Sequence, residues 1–366
     1  MEILHIGSVK TVIKLKERRW KEFFGGLLKE CKIIDGLFDY SDAYSVFDYG
    51  KMPDMIPNKG SSLCMTSAYF FELFEFELFE CYGIKTHYNG LALDDEGKIK
   101  TFTNASKPVN KMIVRLFDVY KPKLEDGKYD YSCFTTELTN YLIPLEVIYR
   151  NYLGEGSSVF RRLKNNELRL EELGLTDYPV VGKRLEKPII EFSTKLEEKD
   201  RMLKCSNEAQ MLSGLTDKEF DELIKTTLKI NEVITKCIEK KNLDIKHEDG
   251  KLEFALDENR ALVLVDAVGT LDECRYNFNG ISLSKEILRQ YYEKTDWAEA
   301  VRDAKKQGSE WRNFCPEPPR LPQELVRLVS SIYMSFCNLV VGKRLFAVDE
   351  LPIVMERYKA FNARGG

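Results

Sequence analysis

The most informative alternation of apolar and polar residues lies in the middle of the chain, in the stretch IPLEVIYRNYLGEGSSVFRRL that begins at Ile143. From Leu145 to Arg150 the residue types largely alternate, and this period of two predicts a β-strand. A glycine-containing turn, two serines and a further arginine pair follow directly. An arginine at the end of a strand with small hydroxyl residues behind it is typical of an anion site.

The N-terminal part of the chain is predicted to be rich in strands. Two short β-type runs flank Gly7 and Ser8, and aromatic and β-branched residues remain frequent up to residue 60. The stretch from Ala68 to Ile84 is the most apolar part of the chain but contains four glutamates, so residues 62–82 are predicted to form an amphipathic, mostly buried helix. A hairpin is predicted at 91–102 with its turn at residues 95–97.

Polar residues dominate the segment from 104 to 140, apart from the apolar run KMIVRLFDVY. Together with the preceding turn, the region near 94–140 is interpreted as an insertion on a larger scaffold. The chain divides most naturally at a hinge near 141–144. We therefore expect an N-terminal domain of residues 1–142 and a C-terminal domain of residues 143–366 that ends in helices.

The second domain shows clearer helix and strand patterns. Thr216 and Glu219 have capping-box spacing, and apolar residues at helical intervals predict a helix that reaches about Lys241. KLEFAL and ALVLVDAV predict an antiparallel hairpin. Helices are also predicted near 284–306 and 322–342, with CPEPPRLP as a rigid linker between them.

Composition and charge exclude several classes of protein. The 366 residues carry a formal net charge of -4, which gives no basic surface for nucleic acid. The N-terminus lacks the features of a signal peptide, and no run of eighteen apolar residues predicts a membrane span. Nine scattered cysteines without a CxxC pair, with only three histidines, favour reduced thiols in a cytoplasmic protein and make a zinc site improbable.

Two candidate sites precede residue 100. In IGSVKTVIKL, a glycine between two strands lets backbone N–H groups approach phosphate, and Lys10 can neutralise it; a purely structural hairpin is the alternative. The stretch SDAYSVFDYGKMPDMIPNKG has a polar loop as its alternative. Its candidate residues are Asp42, Ser45, Asp48 and Lys59.

Two further candidate sites lie in the second domain. EFSTKLEEKD contains Lys195 and Asp200, for which exposed charge is the alternative. In KLEFAL, Glu253 faces the same side as Lys251 because the two residues are two apart on a strand. Asp266 ends an apolar strand, where it could share a Mg²⁺ with Glu253 or simply close a turn.

The order of these motifs resembles that of the SAICAR synthetase family along nearly the whole chain. GSVKTVI is similar to the family's GK.K.VY loop, and SDAYSVFDYGKMPDMIPNKG to its TDRISAYD…IPGKG stretch. PLEVIYRNYLGEGS matches P.EVVVRNY..GS, and STKLEE matches STK.E. KLEFAL, DAVGTLDECR and PPRLPQELVRLVSSIY resemble KLEFG, DE..TPDSSR and the tail PPELP…Y.

This resemblance implies a fold, a reaction and two cofactors. The fold would be α+β, with a smaller N-terminal antiparallel sheet lobe of the kinase or ATP-grasp kind, a larger mixed α/β domain and ATP in the cleft between them. The enzyme would be an ATP- and Mg²⁺-dependent ligase of purine biosynthesis. It would phosphorylate the carboxylate of carboxyaminoimidazole ribonucleotide and join the resulting acyl phosphate to the amine of L-aspartate. Assembly into a homo-oligomer is left open.

The resemblance also implies a role for each candidate residue. Gly7, Ser8 and Lys10 would bind ATP, Glu253 and Asp266 would hold Mg²⁺, and Lys195 would lie near the transferring phosphate. Lys251 would lie by the imidazole carboxylate, and Asp200 near the ribose or imidazole. The 5′-phosphate would be held by Arg150, Arg275 and either Ser157 or Ser158. The loop that lines the aspartate and carboxylate region would include Asp42, Ser45, Asp48 and Lys59.

The chain departs from the family pattern at several of these motifs. Ala267 replaces the acid that follows the metal aspartate, Cys274 replaces a serine beside Arg275, and Ser8 replaces a lysine. The His-Asp pair after STK is absent, although Asp200 remains. Two alternatives therefore stay open: the same ligase chemistry on a different carboxylated ribonucleotide or amine, and a catalytically idle nucleotide-binding homologue.

Overall fold

The computed structural model describes residues 2–24, 27–77, 83–92, 99–154, 156–308 and 310–364. Its first half consists mainly of strands with one long helix. In chain order the elements are β1 (Glu2–Ile6), β2 (Lys10–Phe24), β3 (Leu27–Tyr40), α1 (Lys59–Glu72), a π-helical turn (Leu73–Glu77), β4 (Lys85–Thr86), β5 (Tyr88–Ala92), β6 (Ile99–Lys100), β7 (Lys111–Leu116), β8 (Lys123–Glu125) and β9 (Lys128–Asp130).

The second half contains longer helices between and after its strands. In chain order these are β10 (Tyr141–Tyr152), α2 (Ser158–Lys164), a 3₁₀ turn (Glu171–Leu173), β11 (Arg184–Thr194), α3 (Ser206–Ser213), α4 (Asp217–Glu239), β12 (Ile245–Leu256), β13 (Leu262–Val265), β14 (Cys274–Phe278), β15 (Ile281–Ser282), α5 (Glu286–Glu293), α6 (Asp296–Lys305), a 3₁₀ turn (Trp311–Phe314), α7 (Gln323–Val341) and α8 (Leu351–Ala363).

Two main sheets carry the architecture, which confirms the predicted α+β fold. The N-terminal sheet has the order β1-β2-β3-β7-β5-β6 and is antiparallel throughout. The C-terminal sheet has the order β11-β10-β12-β13-β4, with β14 also paired to β12 and β15 to β14. The first sheet lies wholly before residue 117, and the second lies after residue 140 apart from the two-residue β4. Because β4 comes from the first half of the chain, the division near 142 stays a prediction.

The long helix α4 covers one face of the C-terminal sheet. Its N-cap Thr216 accepts a hydrogen bond from the N–H of Glu219, and Glu219 reaches back to the N–H of Thr216, which confirms the predicted capping box. Its buried side chains recur at helical spacing and are Phe220, Leu223, Thr227, Ile230, Asn231, Ile234 and Ile238. They pack on β10 and β12, so the opposite face of these strands remains available for a site.

One hydrophobic core joins the two sheets, because buried residues of both belong to one cluster, among them Phe38 of β3 and Phe254 of β12. The central helix α7 packs between α1 and α8. Among the described residues, α7 alone is long and apolar enough to cross a membrane by length and composition, but 67% of that window is buried inside the protein. Burial of this extent is that of a core helix.

Several predicted elements need correction. The apolar run within 94–140 is β7, which lies between β3 and β5 in the N-terminal sheet, so this part of the segment belongs to the scaffold. The helix predicted for 62–82 begins at Lys59 and continues as a π-helical turn to Glu77, while its last five residues lie outside the described chain. The helix predicted near 284–306 is two helices: the first ends at Glu293, and Thr295, which has an extended backbone, occupies the N-cap position of the second.

Candidate functional site

One face of the C-terminal sheet is polar where β10, β12 and β14 run side by side. Arg150 lies opposite Asp249 in the register of β10 and β12, and Asp249 lies opposite Arg275 of β14. Further along the same pair of strands, Glu146 lies opposite Glu253. Residues an even number of positions apart on a strand face the same side. The group around Asp249 and the group around Glu253 therefore share this face, and these two residues are four positions apart on β12.

A cleft of about 320 Å³ lies over the Glu253 end of this polar face. Its walls come from the turn between β1 and β2, the start of α1, the ends of β11 and β13, and the turn before β14. Nine residues that the sequence singled out line it, namely Gly7, Ser8, Lys10, Ser45, Lys59, Lys195, Lys251, Glu253 and Asp266. Residues separated by more than 250 positions along the chain therefore meet in one cavity.

Lysines from three elements converge on the carboxylates of Glu253 and Asp266. The Nζ of Lys195 lies 2.6 Å from Glu253 Oε1, and the Nζ of Lys251 lies 3.8 Å from the same oxygen. Lys10 contacts Asp266, which directly follows the residue opposite Glu253 in β13. Burial alone would raise the pKa of Glu253, but Lys195, Lys251 and Lys10 outweigh it and lower this pKa to about 2. Glu253 is therefore ionised at neutral pH.

Lys10 is held in a less polar position than the other two lysines. Its Nζ lies 4.4 Å from the centre of the Phe38 ring, within the range of a cation–π contact. Burial lowers the pKa of Lys10 to about 8, against the opposing effect of Glu253 and Glu273. Lys10 still carries its charge at pH 7, and it stands beside the glycine-containing turn, whose residues Gly7 and Ser8 line the cleft.

Asp266 has a left-handed backbone with φ of 69°, which few residues other than glycine adopt and which aspartate tolerates. The Nε2–H of His87 donates a hydrogen bond to its carbonyl oxygen over 3.2 Å. Burial, followed by repulsion from Lys10, lowers the pKa of His87 to about 3, so the ring stays neutral. Sequence reasoning missed His87, because its partner lies 179 positions away and no local pattern marks it.

Glu253 and Asp266 form a donor set that fits Mg²⁺. Among the described residues there is no group of three or more metal-ligating side chains. Mg²⁺ accepts one or two carboxylates when phosphate oxygens and water supply the remaining ligands. The two carboxylates line the same cleft as the three lysines, so this donor set suits a metal that arrives with a phosphate-bearing ligand.

A second cluster, built around Arg150, occupies the other end of the polar face. Arg150 donates from Nε to Glu191 over 2.7 Å and from Nη1 to Asp249 over 3.1 Å. Asp249 also accepts from the Nε of Arg275 over 2.8 Å, and Arg162 pairs with Glu191. The structure thus brings Arg150 and Arg275 together, as the resemblance implies, although they are 125 positions apart. Arg275 is the more accessible of the two, with 28% of its side chain exposed against 5% for Arg150.

The serines after β10 differ in their surroundings. Ser157 is buried and caps α2, where its Oγ accepts a hydrogen bond from the N–H of Val159 over 3.4 Å. Ser158 begins the helix and is only partly buried. Glu155, in the turn that precedes these serines, lies outside the described chain. Cys274 points away from the cleft, because its Sγ lies 3.3 Å from the hydroxyl of Tyr149 in the core.

The loop between β3 and α1 places its predicted residues at different depths. Asp42 accepts hydrogen bonds from the N–H groups of Asn58 and Gly60, and so holds the loop against the start of α1. Lys59 is fully buried and donates to Asp272 over 2.6 Å. Asp48 lies away from the cleft, with 85% of its side chain exposed, and pairs with Lys305 over 3.0 Å.

Asp200 lies in the loop after β11, outside the lining of the cleft. Partial burial, followed by repulsion from Glu146, raises the pKa of Asp200 to about 6, although Lys195 and Lys251 oppose this.

Glu146 itself was not singled out from the sequence. It accepts from Lys251 over 2.6 Å and from the hydroxyl of Ser193 over 3.1 Å, which makes it part of the lysine–carboxylate group.

Comparison with known proteins identifies relatives along nearly the whole chain. The family model described as SAICAR synthetase matches residues 32–304. A putative phosphoribosylaminoimidazole-succinocarboxamide synthase of Archaeoglobus fulgidus is 47% identical over 354 residues, which cover 97% of this chain and 99% of that protein.

Solved structures of low sequence identity show the same fold. A SAICAR synthetase in complex with ADP superposes with a TM-score of 0.56 at 22% identity, and covers 93% of this chain and 97% of its own. A SAICAR synthase from Saccharomyces cerevisiae complexed with SAICAR gives a TM-score of 0.60 at 19% identity, with 94% and 96% coverage. At these identities the structures support the fold alone.

Proposed function

Because the chain belongs to the SAICAR synthetase family, we propose that it is an ATP-dependent carbon–nitrogen ligase of purine biosynthesis, a phosphoribosylaminoimidazole-succinocarboxamide synthase. A carboxylate oxygen of carboxyaminoimidazole ribonucleotide attacks the γ-phosphorus of ATP, ADP leaves, and an acyl phosphate forms. The amine of L-aspartate then attacks the acyl carbon, and inorganic phosphate and a proton are released as the amide forms. The substrates are small soluble metabolites, and the enzyme works in the cytoplasm.

The observation that carries this proposal is the pair of charged groups on one face of the sheet. Glu253 and Asp249 are four positions apart on β12, which is about 13 Å of extended chain. A mononucleotide can lie along this face with its phosphate at the arginine cluster and its base beside Lys251. The phosphorylation site then falls where the three lysines meet, so one sheet face presents both the reacting carboxylate and the charges that transfer needs.

In this arrangement the phosphates of ATP lie against the turn of Gly7 and Ser8, with Lys10 beside them. Glu253 and Asp266 would hold Mg²⁺, which would neutralise charge on the phosphates. Lys195 faces the transferring phosphoryl group, and phosphoryl transfer depends mainly on such positioning and charge neutralisation. Lys251 pairs with the imidazole carboxylate and holds it in line with that group.

Arg275 supplies the accessible donor of the phosphate clamp. The Nε and Nη2 of Arg275 donate to Asp249, which leaves the Nη1 of Arg275 for a phosphate oxygen. Arg150 fixes Asp249 from the other side and so orients Arg275. One serine after β10 completes the clamp, either the buried Ser157 or Ser158, which is nearer the surface.

The amine end of the site is formed by the loop after β3, and Asp200 borders it from outside the lining of the cleft, close enough to Lys195 and Lys251 to interact with them electrostatically. Ser45 lines the cleft, while Asp42 and Lys59 hold the loop and the start of α1 in place. Asp48 lies at the outer edge of this loop, away from the cleft, and contributes least to the amine end. Asp200 has a pKa of about 6, so it is ionised at neutral pH and can take up the proton that the attacking amine must lose.

The proposal is tested by measuring ADP release with Mg²⁺, ATP and carboxyaminoimidazole ribonucleotide in the presence of L-aspartate or other amino acids. We expect ADP release that depends on both the nucleotide and L-aspartate. Turnover with a different amine instead would assign the chain to the same ligase chemistry on another substrate. Tight ATP binding without ADP release for any amine would make it a nucleotide-binding homologue without activity.

A further inference from the structure

The turn between β13 and β14 delivers two carboxylates to the cleft, and one of them has no role in the site described so far. Thr270 fixes this turn, because its hydroxyl oxygen accepts hydrogen bonds from the N–H groups of Asp272 and Glu273 over 3.3 and 3.2 Å. The N–H of Cys274 donates to the Thr270 carbonyl over 2.9 Å. The starting points of both acidic side chains are therefore well defined.

The two acids turn to different partners. Both oxygens of Asp272 are used, one by Lys59 and the other by the hydroxyl of Tyr333, each over 2.6 Å. Glu273 contacts Lys251 twice: its carbonyl accepts the N–H of Lys251 over 3.0 Å, and its Oε2 lies 3.4 Å from the Nζ. Only Glu273 thus acts on a lysine that we place beside the substrate carboxylate.

Glu273 balances the pull of Glu146 on this lysine. Glu146, on β10, lies 2.6 Å from the Nζ of Lys251, whereas Glu273 approaches from the turn that precedes β14, on the other side of β12. Glu253 is the third carboxylate, at 3.8 Å. Without Glu273 the ammonium group would be drawn towards Glu146 and away from the centre of the cleft.

The sequence supplies an independent reason to single out Glu273. Ala267 follows Asp266 where the motif that the chain resembles carries an acid, while Glu273 stands where that motif carries a serine. Both side chains line the same cleft, so an acid lost at one position is matched by an acid gained at the other. We propose that Glu273 is a positioning residue for Lys251 and supplies the carboxylate that is absent at position 267. The inference rests on the proposed function for the substrate that Lys251 faces.

The kinetic test compares Glu273→Gln with the conservative Glu273→Asp. For E273Q we expect kcat/KM for the ribonucleotide to fall about 10- to 100-fold, as misplacement of a reacting group does, with the KM for ATP nearly unchanged. E273D should recover part of the loss because it keeps the charge. The matched control is Glu258→Gln, which removes a partly buried, ion-paired acid outside the cleft and should leave kcat/KM unchanged. Equal activity of E273Q and the wild type would overturn the proposal.

Moving the carboxylate from position 273 to position 267 tests whether an acid at one position can replace an acid at the other. The double variant A267E/E273Q should recover activity relative to E273Q, whereas A267Q/E273Q, which has the same size without the charge, should not. Identical behaviour of the two double variants would refute the idea that Glu273 stands in for an acid at 267.

A chemical readout separates this inference from the proposed function. The carboxylates that face Lys251 are Glu146, Glu253 and Glu273, and the carboxylate of Asp200 and the cations Lys10, Lys195 and Lys285 lie nearby. Competitive labelling with acetic anhydride should modify Lys251 several-fold faster in E273Q than in the wild type, with Lys305 as internal reference. An unchanged rate would rule out Glu273 as its positioning residue. Lack of ligase activity in the wild type would refute the proposed function alone, since labelling needs no substrate.

Discussion

Asp266 combines a strained backbone with a carboxylate that meets a lysine in the cleft. Its left-handed conformation is one that asparagine also tolerates, so Asp266→Asn should keep the fold while it removes the charge. If Asp266 holds Mg²⁺, we expect kcat to fall by about 100-fold or more, the size of effect seen when a preorganised electrostatic group is removed. ADP release and Tm should be measured together, because only the first should change strongly.

Asp48→Asn is the matched control for this substitution. It removes the same charge from a residue that also has a positive φ, of 59°, but lies away from the cleft. Its activity should equal that of the wild type. Retained Mg²⁺-dependent activity in D266N would mean that the metal is held elsewhere.

Arg275 is a better probe of the proposed phosphate clamp than Arg150. Arg150→Ala would leave Glu191 and Asp249 short of a buried partner, which costs roughly 3–5 kcal/mol of stability and obscures any effect on binding. Arg275→Ala should raise the KM for the ribonucleotide about 10- to 100-fold through loss of a charged hydrogen bond to phosphate, and leave the KM for ATP unaffected. Arg357→Ala, which breaks an exposed ion pair with Asp349, should change neither constant. An unchanged nucleotide KM in R275A would remove Arg275 from the phosphate site.

The raised pKa of Asp200 predicts the acid limb of the pH profile. Above about pH 6 the carboxyl is ionised and can accept the proton of the amine; below it, the group is protonated and the base is lost. We expect kcat in the wild type to fall about tenfold for each unit below pH 6. Asp200→Asn should be slow at every pH and lack this limb. If D200N kept an acid limb with the same midpoint, the limb would belong to the titration of another group.

Sequence could predict those site residues whose relation is local. Lys251 and Glu253 are two apart on a strand, so their shared face follows from the alternation alone. Glu146, His87 and Glu273 have no such local signature: each acts on a residue that is distant in sequence or on a neighbouring strand, and only the register of the sheet or the fold of a turn brings them together. Resemblance implies a shared phosphate-binding role for Arg150 and Arg275, but it does not reveal the carboxylate of Asp249 that joins them.

Among the elements, β12 bears most directly on the proposed function, because Asp249, Lys251 and Glu253 lie on one face of this strand. Gly250 sits between them on the opposite face, where an added Cβ would lie 2.3 Å from the hydroxyl of Tyr149. Gly250→Ala must push Tyr149 or the strand aside, and such overpacking costs about 1–3 kcal/mol. We expect a clear fall in the urea midpoint, and a loss of activity because the strand that holds the charged residues moves.

Gly156→Ala provides the comparison for this prediction. Among the residues that the structure describes, none beyond its chain neighbours places an atom within 4 Å of the added Cβ, and the backbone of Gly156 is not left-handed, so the substitution should be neutral or slightly stabilising. Equal stability of G250A and G156A would show that the core behind β12 can adjust without cost.

The elements that sequence predicted best are those with strong local patterns. The capping box and the helical spacing of α4 fixed its start at Thr216, and the alternation in β10 fixed that strand. The sequence pattern predicts that β7 is part of an insertion, because the strand is flanked by polar segments and its partners β3 and β5 lie elsewhere in the sequence. Membership of a sheet is a long-range property, which composition and periodicity do not report.

At the scale of the whole molecule, the site depends on contacts that cross the predicted domain boundary. Lys10 of the N-terminal sheet meets Asp266 at the end of β13, and Lys59 of α1 is held by Asp272 and Tyr333 of the second half. His87 joins the two sheets directly, because its N–H donates to Leu264 over 3.0 Å and its carbonyl accepts from Arg115 over 2.7 Å. Neither half can present the complete site alone.

The shared core predicts that the two halves unfold together. Buried residues of both sheets form one cluster, and α1 packs on α7, so exposure of either half would uncover apolar surface of the other. Urea unfolding followed by circular dichroism and by tryptophan fluorescence should therefore give coincident, single transitions, and ADP should shift both midpoints upward together. The fragment 1–142 expressed by itself should lack a cooperative transition. Two separated transitions, or a folded fragment, would show instead that the boundary near 142 divides independent domains and that the cleft is assembled only when they dock.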